Sequence, residues 1–212
     1  MNKTRITTSI PEQNRTIDTY YQFQSQIYDL TRWSFLFGRN QLVDALPFQP
    51  SATFSVLEVG CGTGYNLKRL ARRFPNAQLA GMDLSPEMLA IARKNTAPYQ
   101  NRISLQQSPY GATPIQSQPD VILFSYALTM INPQWEQLIQ QAGQDLAPGG
   151  YIAVTDFHNS RFSWFREHMS NHHVRMDGHI LPVLQDHFQP DLQITQPAYL
   201  GVWDYFLFIG KK

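Results

Sequence analysis

Three glycines spaced by one residue, Gly60, Gly62 and Gly64, follow the apolar run Phe54-Ser55-Val56-Leu57-Glu58-Val59. A glycine-rich turn from a strand into a helix lets a ligand approach the main chain, with the helix N–H groups facing it. A dinucleotide turn, G-x-G-x-x-G, wants its third glycine one place later, where this chain has Tyr65. The spacing is therefore wrong for a pyrophosphate. Asp83 ends the next run, Gln78-Leu79-Ala80-Gly81-Met82, where a carboxylate can accept two ribose hydroxyls. Three later runs also end in polar groups: Gln107-Ser108, Ser125-Tyr126, and Asp156 with His158. If the runs are parallel strands, all five ends share one edge of the sheet. Open α/β sheets bind ligands at that edge.

The elements that must position these groups alternate in type. Leu67, Leu70, Ala71 and Phe74 form one helical face, stopped by Pro75. Ser85-Pro86 reads as an N-cap followed by proline at the first helical position. Ile103-Ser104-Leu105 is a weaker strand and Val121–Ser125 a continuous buried one. Asn132-Pro133 opens a helix with Trp135, Leu138, Ile139, Ala142 and Leu146 on one face. Pro148-Gly149-Gly150 closes it before the strand Tyr151–Asp156, which leaves His158 just past that strand. Ala198 through Ile209, aromatic and with Gly201 near its start, predicts a closing antiparallel hairpin. Such alternation predicts an α/β fold with a mostly parallel sheet covered on both faces. The expected organisation is one domain over 1–212: a polar arm at 1–18, a helical cover at 19–46 and a core at 54–212. The cover rests on Tyr20, Phe23, Ile27, Leu30, Trp33 and Phe37, spaced by three or four.

VLEVGCGTGYN, GMDLSPEML, PDVILFSYALTMI and LAPGGYIAVTDF, in this order and spacing between residues 56 and 157, resemble the motifs of class I S-adenosylmethionine-dependent methyltransferases. The resemblance implies a Rossmann-like, doubly wound sheet of seven strands with a C-terminal antiparallel hairpin. The cofactor would be S-adenosyl-L-methionine and the product S-adenosyl-L-homocysteine. Glu58, Gly60, Cys61, Gly62 and Gly64 would surround the methionine part, and Asp83 would hold the ribose. Leu84 and Met88 would lie against the adenine. Members of this family often place Gly-Asp-Ala after the third strand; this chain has Ser108-Pro109-Tyr110, which passes that contact to backbone or to Gln107 and Ser108. Ser125, Tyr126 and Tyr28 complete the expected cofactor shell, because similar enzymes close N-terminal tyrosines over the ligand. A tight turn in an inactive relative is the plainer reading of the loop.

No Asp-Pro-Pro-Tyr follows the fourth strand, and Cys61 sits in the loop rather than in a Pro-Cys pair. These absences set aside the amino-methylating DNA enzymes and methylation at a pyrimidine ring carbon. IYDLTRWSFLFGR (residues 27–39), HVRMDGHILPVL and AYLGVWDYFLF are similar to the N-methyltransferase of betaine lipid (diacylglyceryl-trimethylhomoserine) synthesis and to small soluble phospholipid N-methyltransferases. That resemblance implies a lipid amine as acceptor; a small-molecule amine is the other expectation. Transfer to an amine requires loss of a proton, and positioning supplies most of the remaining catalysis. A quaternary ammonium product suits an aromatic cage, for which Tyr20, Tyr21, Tyr28, Trp33 and Tyr126 are candidates. The same stripe is more often the buried face of a helix. Tyr126 and His158 are the expected catalytic residues. Tyr21, Asp156, His158, Arg161 and Arg175 are the expected acceptor contacts, the arginines as bidentate partners of a carboxylate. All six histidines fall between 158 and 187, and His168 and His172 would share a helical face. No glutamate is placed like that of H-E-x-x-H, so no metal is expected.

Composition narrows the rest. The 212 residues are 42% hydrophobic and 13% aromatic, which is enough for a packed core and excludes disorder as the main state. Charged residues make up only 16%, and 21 glutamines fill much of the remaining polar surface. A net charge of +1 without a block of like charges disfavours a nucleic acid partner. The single cysteine excludes an internal disulfide. No apolar run reaches about 18 residues and the N-terminus has no signal-like core, so a cytoplasmic protein is expected. It would meet a lipid at the inner membrane face through residues 20–37. Three readings stand: a lipid headgroup N-methyltransferase, an N- or O-methyltransferase of a soluble metabolite, and a catalytically silent cofactor-binding protein.

Overall fold

β1 (Ser55–Val59), β4 (Val121–Ser125) and β5 (Tyr151–Asn159) lie side by side in the middle of the sheet, and their side chains are buried almost throughout. Such runs need helices on both faces. The computed structural model describes residues 36–212 apart from Thr113, Asn132, His172 and His173, and one of its compact units runs from Phe37 to Lys212. Within that unit, α1 (Arg39–Asp44) precedes β1, and α2 (Tyr65–Arg73) links it to β2 (Gln78–Asp83). α3 (Pro86–Thr96) and a short 3-10 turn lead to β3 (Ile103–Gln107). α4 (Trp135–Asp145) joins β4 to β5, and α5 (Ser163–Asn171) and α6 (Ile180–His187) precede β6 (Gln189–Ala198) and β7 (Trp203–Lys211).

The sheet has seven strands in the order β3-β2-β1-β4-β5-β7-β6. The first five are parallel, β7 runs antiparallel to β5, and β6 runs antiparallel to β7. This is the expected doubly wound sheet with its closing hairpin. Local chemistry explains several boundaries. The Ser85 hydroxyl accepts the Met88 N–H at 3.1 Å and Pro86 opens α3. Leu67, Leu70, Ala71 and Phe74 are all buried, so the inner face of α2 is the one the periodicity predicts. On the other face, Leu57, Val59, Ile122, Phe124, Ile152, Val154, Phe206 and Phe208 pack against apolar residues of α4 and α6.

Three expectations need correction. β5 does not end at Asp156. It runs to Asn159 because β7 pairs with it as far as Asn159 opposite Asp204; the register shifts between Phe157 and Asn159, so His158 belongs to the strand but sits at a bulge. The hairpin does not begin at Ala198. Its first strand is β6, and Tyr199–Gly201 forms the turn. β6 alternates in exposure and carries Pro190 and Pro197, which an edge strand tolerates because one side needs no partner. Finally, among the described residues no helix connects β3 to β4. The second face of β2 and β3 is left as a groove of about 790 Å³, lined by Ala80, Leu105 and Ile115 among others. Of the expected cover at 19–46, residues 19–35 lie outside the described residues, and α1 occupies the rest.

Candidate functional site

The glycine turn leaves β1 and is stitched to the end of β2. The Gly60 and Cys61 N–H groups donate to the Met82 carbonyl at 2.8 and 3.0 Å. Gly62 and Gly64 both have positive φ, 51° and 74°, where a side chain is strained. A Cβ at Gly64 would also meet Ala92 at 3.1 Å, whereas one at Gly62 would have no neighbour within 4 Å. Gly62 therefore borders open space, and Gly64 lets α2 close on α3. The Gly62 N–H donates to Asp83 Oδ2 at 2.7 Å, and the Ser85 N–H donates to Oδ1 at 3.0 Å. Each carboxylate oxygen keeps a second lone pair, which is the capacity two ribose hydroxyls require.

Glu58 lies beneath the turn, 1% exposed. Its Oε1 accepts the Asn66 amide at 2.7 Å, and burial pushes its carboxyl up to about 8. Glu58 Oε2, Asn66 Oδ1 and Ser125 Oγ are buried with no hydrogen-bond partner. Unpaired buried polar atoms are costly and uncommon. Their presence beside an open glycine turn fits a ligand that brings its own donors. Cys61 is buried and desolvation raises its thiol, so it serves as a small apolar neighbour. On the adenine side, Met88 is buried, Leu84 half-buried and Gln107 exposed, with the Gln107 amide donating to the Leu84 carbonyl at 3.3 Å. Ser108 points its hydroxyl to the Pro109 carbonyl at 3.3 Å. Tyr110 is drawn inward, its hydroxyl donating to Asp145 at 2.7 Å.

The acceptor side departs further from expectation. Tyr126 follows β4 with φ 54°, a strained backbone for tyrosine. It is 2% exposed, its ring meets Phe157 edge-on at 4.8 Å, and its hydroxyl donates to the Phe37 carbonyl at 2.9 Å. Burial pushes the phenol up, so it is neither free nor acidic. Asp156 is fully buried. It accepts the Thr129 N–H at 3.2 Å, the Thr129 hydroxyl at 2.5 Å and the Phe157 N–H at 2.8 Å, and burial raises its carboxyl to about 6. These bonds tie the carboxylate to the turn after β4. Arg161 lies over the Phe162 ring at 5.0 Å and beside Gly201, at the turn between β6 and β7. Tyr21 and Tyr28 lie outside the described residues.

His158 and Arg175 each meet the Asp177–His179 segment, which the periodicity did not single out. The Gly178 N–H donates to the His158 carbonyl at 2.8 Å, and a Cβ on Gly178 would stand 3.2 Å from the His158 ring. Arg175 pairs with Asp177 at 2.6 Å, and Asp177 also contacts His179 Nδ1. The imidazole of His179 stacks edge-on to Trp135 with centroids 4.6 Å apart. Since Asp177 accepts, Nδ1 carries the proton and Nε2 is the basic nitrogen. His179 Nε2 and His158 Nδ1 are both buried without a partner. Burial holds both imidazoles below their ordinary value, for His179 against the opposing pull of Asp177, so both are neutral at pH 7. The cluster lies off the C-terminal end of β5, the edge that also carries the glycine turn. The available signal was Asp177-Gly178-His179, a D-G-H tripeptide with no helical or strand period around it. Among the described residues no group of three His, Cys, Asp or Glu side chains could hold a metal ion.

Comparison with known proteins agrees with this geometry. Residues 56–150 match the family described as "Methyltransferase domain". A trans-aconitate 2-methyltransferase of Variovorax paradoxus is 38% identical over 114 residues, which is 54% of this chain and 42% of that protein. Malonyl-[acyl-carrier protein] O-methyltransferase 1 of Ilyobacter polytropus is 26% identical over 170 residues, 80% of this chain and 58% of that protein. The chain thus matches about two fifths to three fifths of the length of these relatives. The N-methyltransferase NodS of Bradyrhizobium japonicum, solved with S-adenosyl-L-homocysteine, superposes with a TM-score of 0.71. The superposition covers 93% of this chain and 98% of that one, at 16% identity. Residues 56–150 thus match a methyltransferase domain, and the chain shares its fold with the solved N-methyltransferase NodS.

Proposed function

We propose that this protein is an S-adenosylmethionine-dependent N-methyltransferase whose acceptor is an amine on a lipid headgroup. Bound in the site, the cofactor would supply an electrophilic methyl carbon on a sulfonium: the amine lone pair would form the N–C bond as the C–S bond breaks in line, and S-adenosyl-L-homocysteine would leave as a neutral thioether. Asp83 accepts the ribose hydroxyls, Glu58 and Asn66 meet the polar end of the methionine part, and Leu84 and Met88 border the adenine. The chain's own task on the acceptor side is to hold the amine and take its proton. One observation carries the amine reading: two imidazoles at the acceptor edge are neutral and each keeps an unpaired ring nitrogen. An amine must lose a proton, whereas a carboxylate acceptor needs no base. His179, oriented by Asp177, is the better placed of the two for that role.

The lipid part of the reading rests on the resemblance at residues 27–39 and in the C-terminal third. Among the described residues no helix is long and apolar enough to cross a membrane, so enzyme and lipid would meet at the bilayer surface. Residues 20–37 remain the proposed contact, and all but Leu36 and Phe37 lie outside the described residues. A second reading, a soluble acidic metabolite as acceptor, is favoured by the names of the two relatives above and by Arg175 beside the cluster. Incubation with methyl-labelled cofactor separates the two. Label in a quaternary or tertiary amine of a lipid extract supports the first reading. Label in a water-soluble methyl ester, with none in lipid, refutes it.

A further inference from the structure

α2 carries Lys68, Arg69, Arg72 and Arg73, which line a cavity of about 520 Å³ together with Asp44, Thr63, Tyr65 and Asn95. Among the described residues, one of the four cations is neutralised: Arg69 pairs with Asp44 at 2.5 Å. Lys68, Arg72 and Arg73 have no carboxylate within ion-pair distance among the described residues. Arg72 reaches only the Tyr99 hydroxyl at 3.4 Å, and Arg73 lies over the Phe74 ring at 5.5 Å. A fifth cation, Arg39, stacks over the Tyr65 ring at 4.1 Å. Even in the ion pair, the Arg69 Nε–H is buried and lacks an acceptor.

This arrangement costs the fold. Lys68 with Arg72, and Arg69 with Arg73, are like charges at i,i+4, which repel on a helix surface. The helix dipole accounts for Arg72 and Arg73 in the last turn, but not for Lys68 and Arg69 in the middle. The whole chain has a net charge of only +1, so the excess positive charge of this face is offset elsewhere on the molecule. The cavity has the size of a small-molecule pocket and exceeds what a single inorganic ion fills. Guanidinium groups with free donors suit phosphate oxygens, which they bind in bidentate fashion.

We propose that the cavity between α1 and α2 is a second binding site, for the phosphoryl group of a phosphorylated small molecule or of a phospholipid headgroup. Its cations all stand on α2, and of the glycine turn and its acidic partner Asp83 only Thr63 lines it, so the proposed occupant is distinct from the cofactor. The site does not depend on the proposed acceptor.

Two arms distinguish the sources. In the first, full-length protein is titrated calorimetrically with inorganic pyrophosphate at low ionic strength. In the second, it is sedimented with vesicles of phosphatidylglycerol and phosphatidylcholine, and with phosphatidylcholine alone. The wild type should respond in at least one arm. The Arg72→Gln, Arg73→Gln double variant should lose at least about tenfold in that arm, because each guanidinium gives charge-assisted hydrogen bonds. Asp44→Asn should bind several-fold tighter, since it removes the one anion competing for Arg69. Lys68→Gln gives an independent loss should the double variant prove unstable, and S-adenosyl-L-homocysteine affinity reports folding in every variant. Wild type silent in both arms, or variants indistinguishable from it, overturns the assignment.

Discussion

Glu58 should make the stability of the free protein fall as pH rises through neutrality. Its carboxyl is raised from the ordinary value of 4.5 to about 8, with burial the largest cause and Asp83 adding to it. The Asn66 hydrogen bond and Arg39 oppose the shift without reversing it. Between those two values the folded state holds a proton that the unfolded chain has released, so stability declines with increasing pH. The linkage relation gives a loss of about 2 kcal/mol between pH 6.5 and 8.5, most of it before pH 8. Two neighbouring effects are separable. Asp156, raised to about 6, completes most of its own decline at lower pH. His158 and His179 are depressed from 6.5, so they add a smaller, opposite gain in stability as pH rises past that value, and wild type and Glu58→Gln share it. Urea denaturation at pH 6.5, 7.5 and 8.5 should therefore show a net decline in the wild type, and Glu58→Gln should be flat or rise slightly over the same range. A saturating level of S-adenosyl-L-homocysteine should shrink the wild-type slope, because donors brought to Glu58 Oε2 favour the charged form. Equal slopes in wild type and variant would refute the assignment of the proton to Glu58. A slope unchanged by the ligand would refute its place in the cofactor site.

Three further outcomes follow from the site. Asp83→Ala should weaken S-adenosyl-L-homocysteine by roughly 1–3 kcal/mol in calorimetry, through loss of the ribose acceptor and of the Gly62 and Ser85 contacts; tight NAD binding in its place would sink the cofactor reading. His179→Ala should lower kcat at pH 7 by at least about tenfold and steepen its dependence on pH, with cofactor affinity unchanged; an unaltered rate removes it from catalysis. Tyr126→Phe should cost about 1 kcal/mol of stability by leaving the Phe37 carbonyl unpaired, with turnover nearly intact; a large loss of kcat at wild-type stability would return the phenol to the chemistry.

The geometry of the proposed cofactor half was legible because it is made of local signals. A glycine turn, an acidic strand end and an N-cap each announce themselves within a few residues, and the chain places them one strand apart, with Gly62 bonded to Asp83. The acceptor half was legible only in part. Asp156 and Tyr126 stand at the correct sheet edge, yet the direction a side chain takes there depends on partners distant in sequence. Thr129 draws the Asp156 carboxylate inward, and Phe37, 89 residues away, claims the Tyr126 hydroxyl. The extent of β5 was hidden for the same reason. Phe157-His158-Asn159 carries no strand period of its own, and β7 supplies the pairing.

That pairing has a consequence for the acceptor edge. β7, more than 40 residues downstream, pairs with Phe157 and Asn159 on either side of His158, and the Asn159–Asp177 bridge ties the segment before α6 to the same strand end. Asp177, and through it His179, thus takes its position from the sheet and not from a free loop. A base fixed to a central strand is held more closely than one on a mobile lid, as proton transfer over hydrogen-bond distance requires. The Gly178 ring contact adds to this, since any side chain there would press on His158 from a left-handed backbone. The C-terminal hairpin thus bears on the proposed chemistry in a physical sense: it closes the sheet, and in doing so it sets where the imidazoles stand.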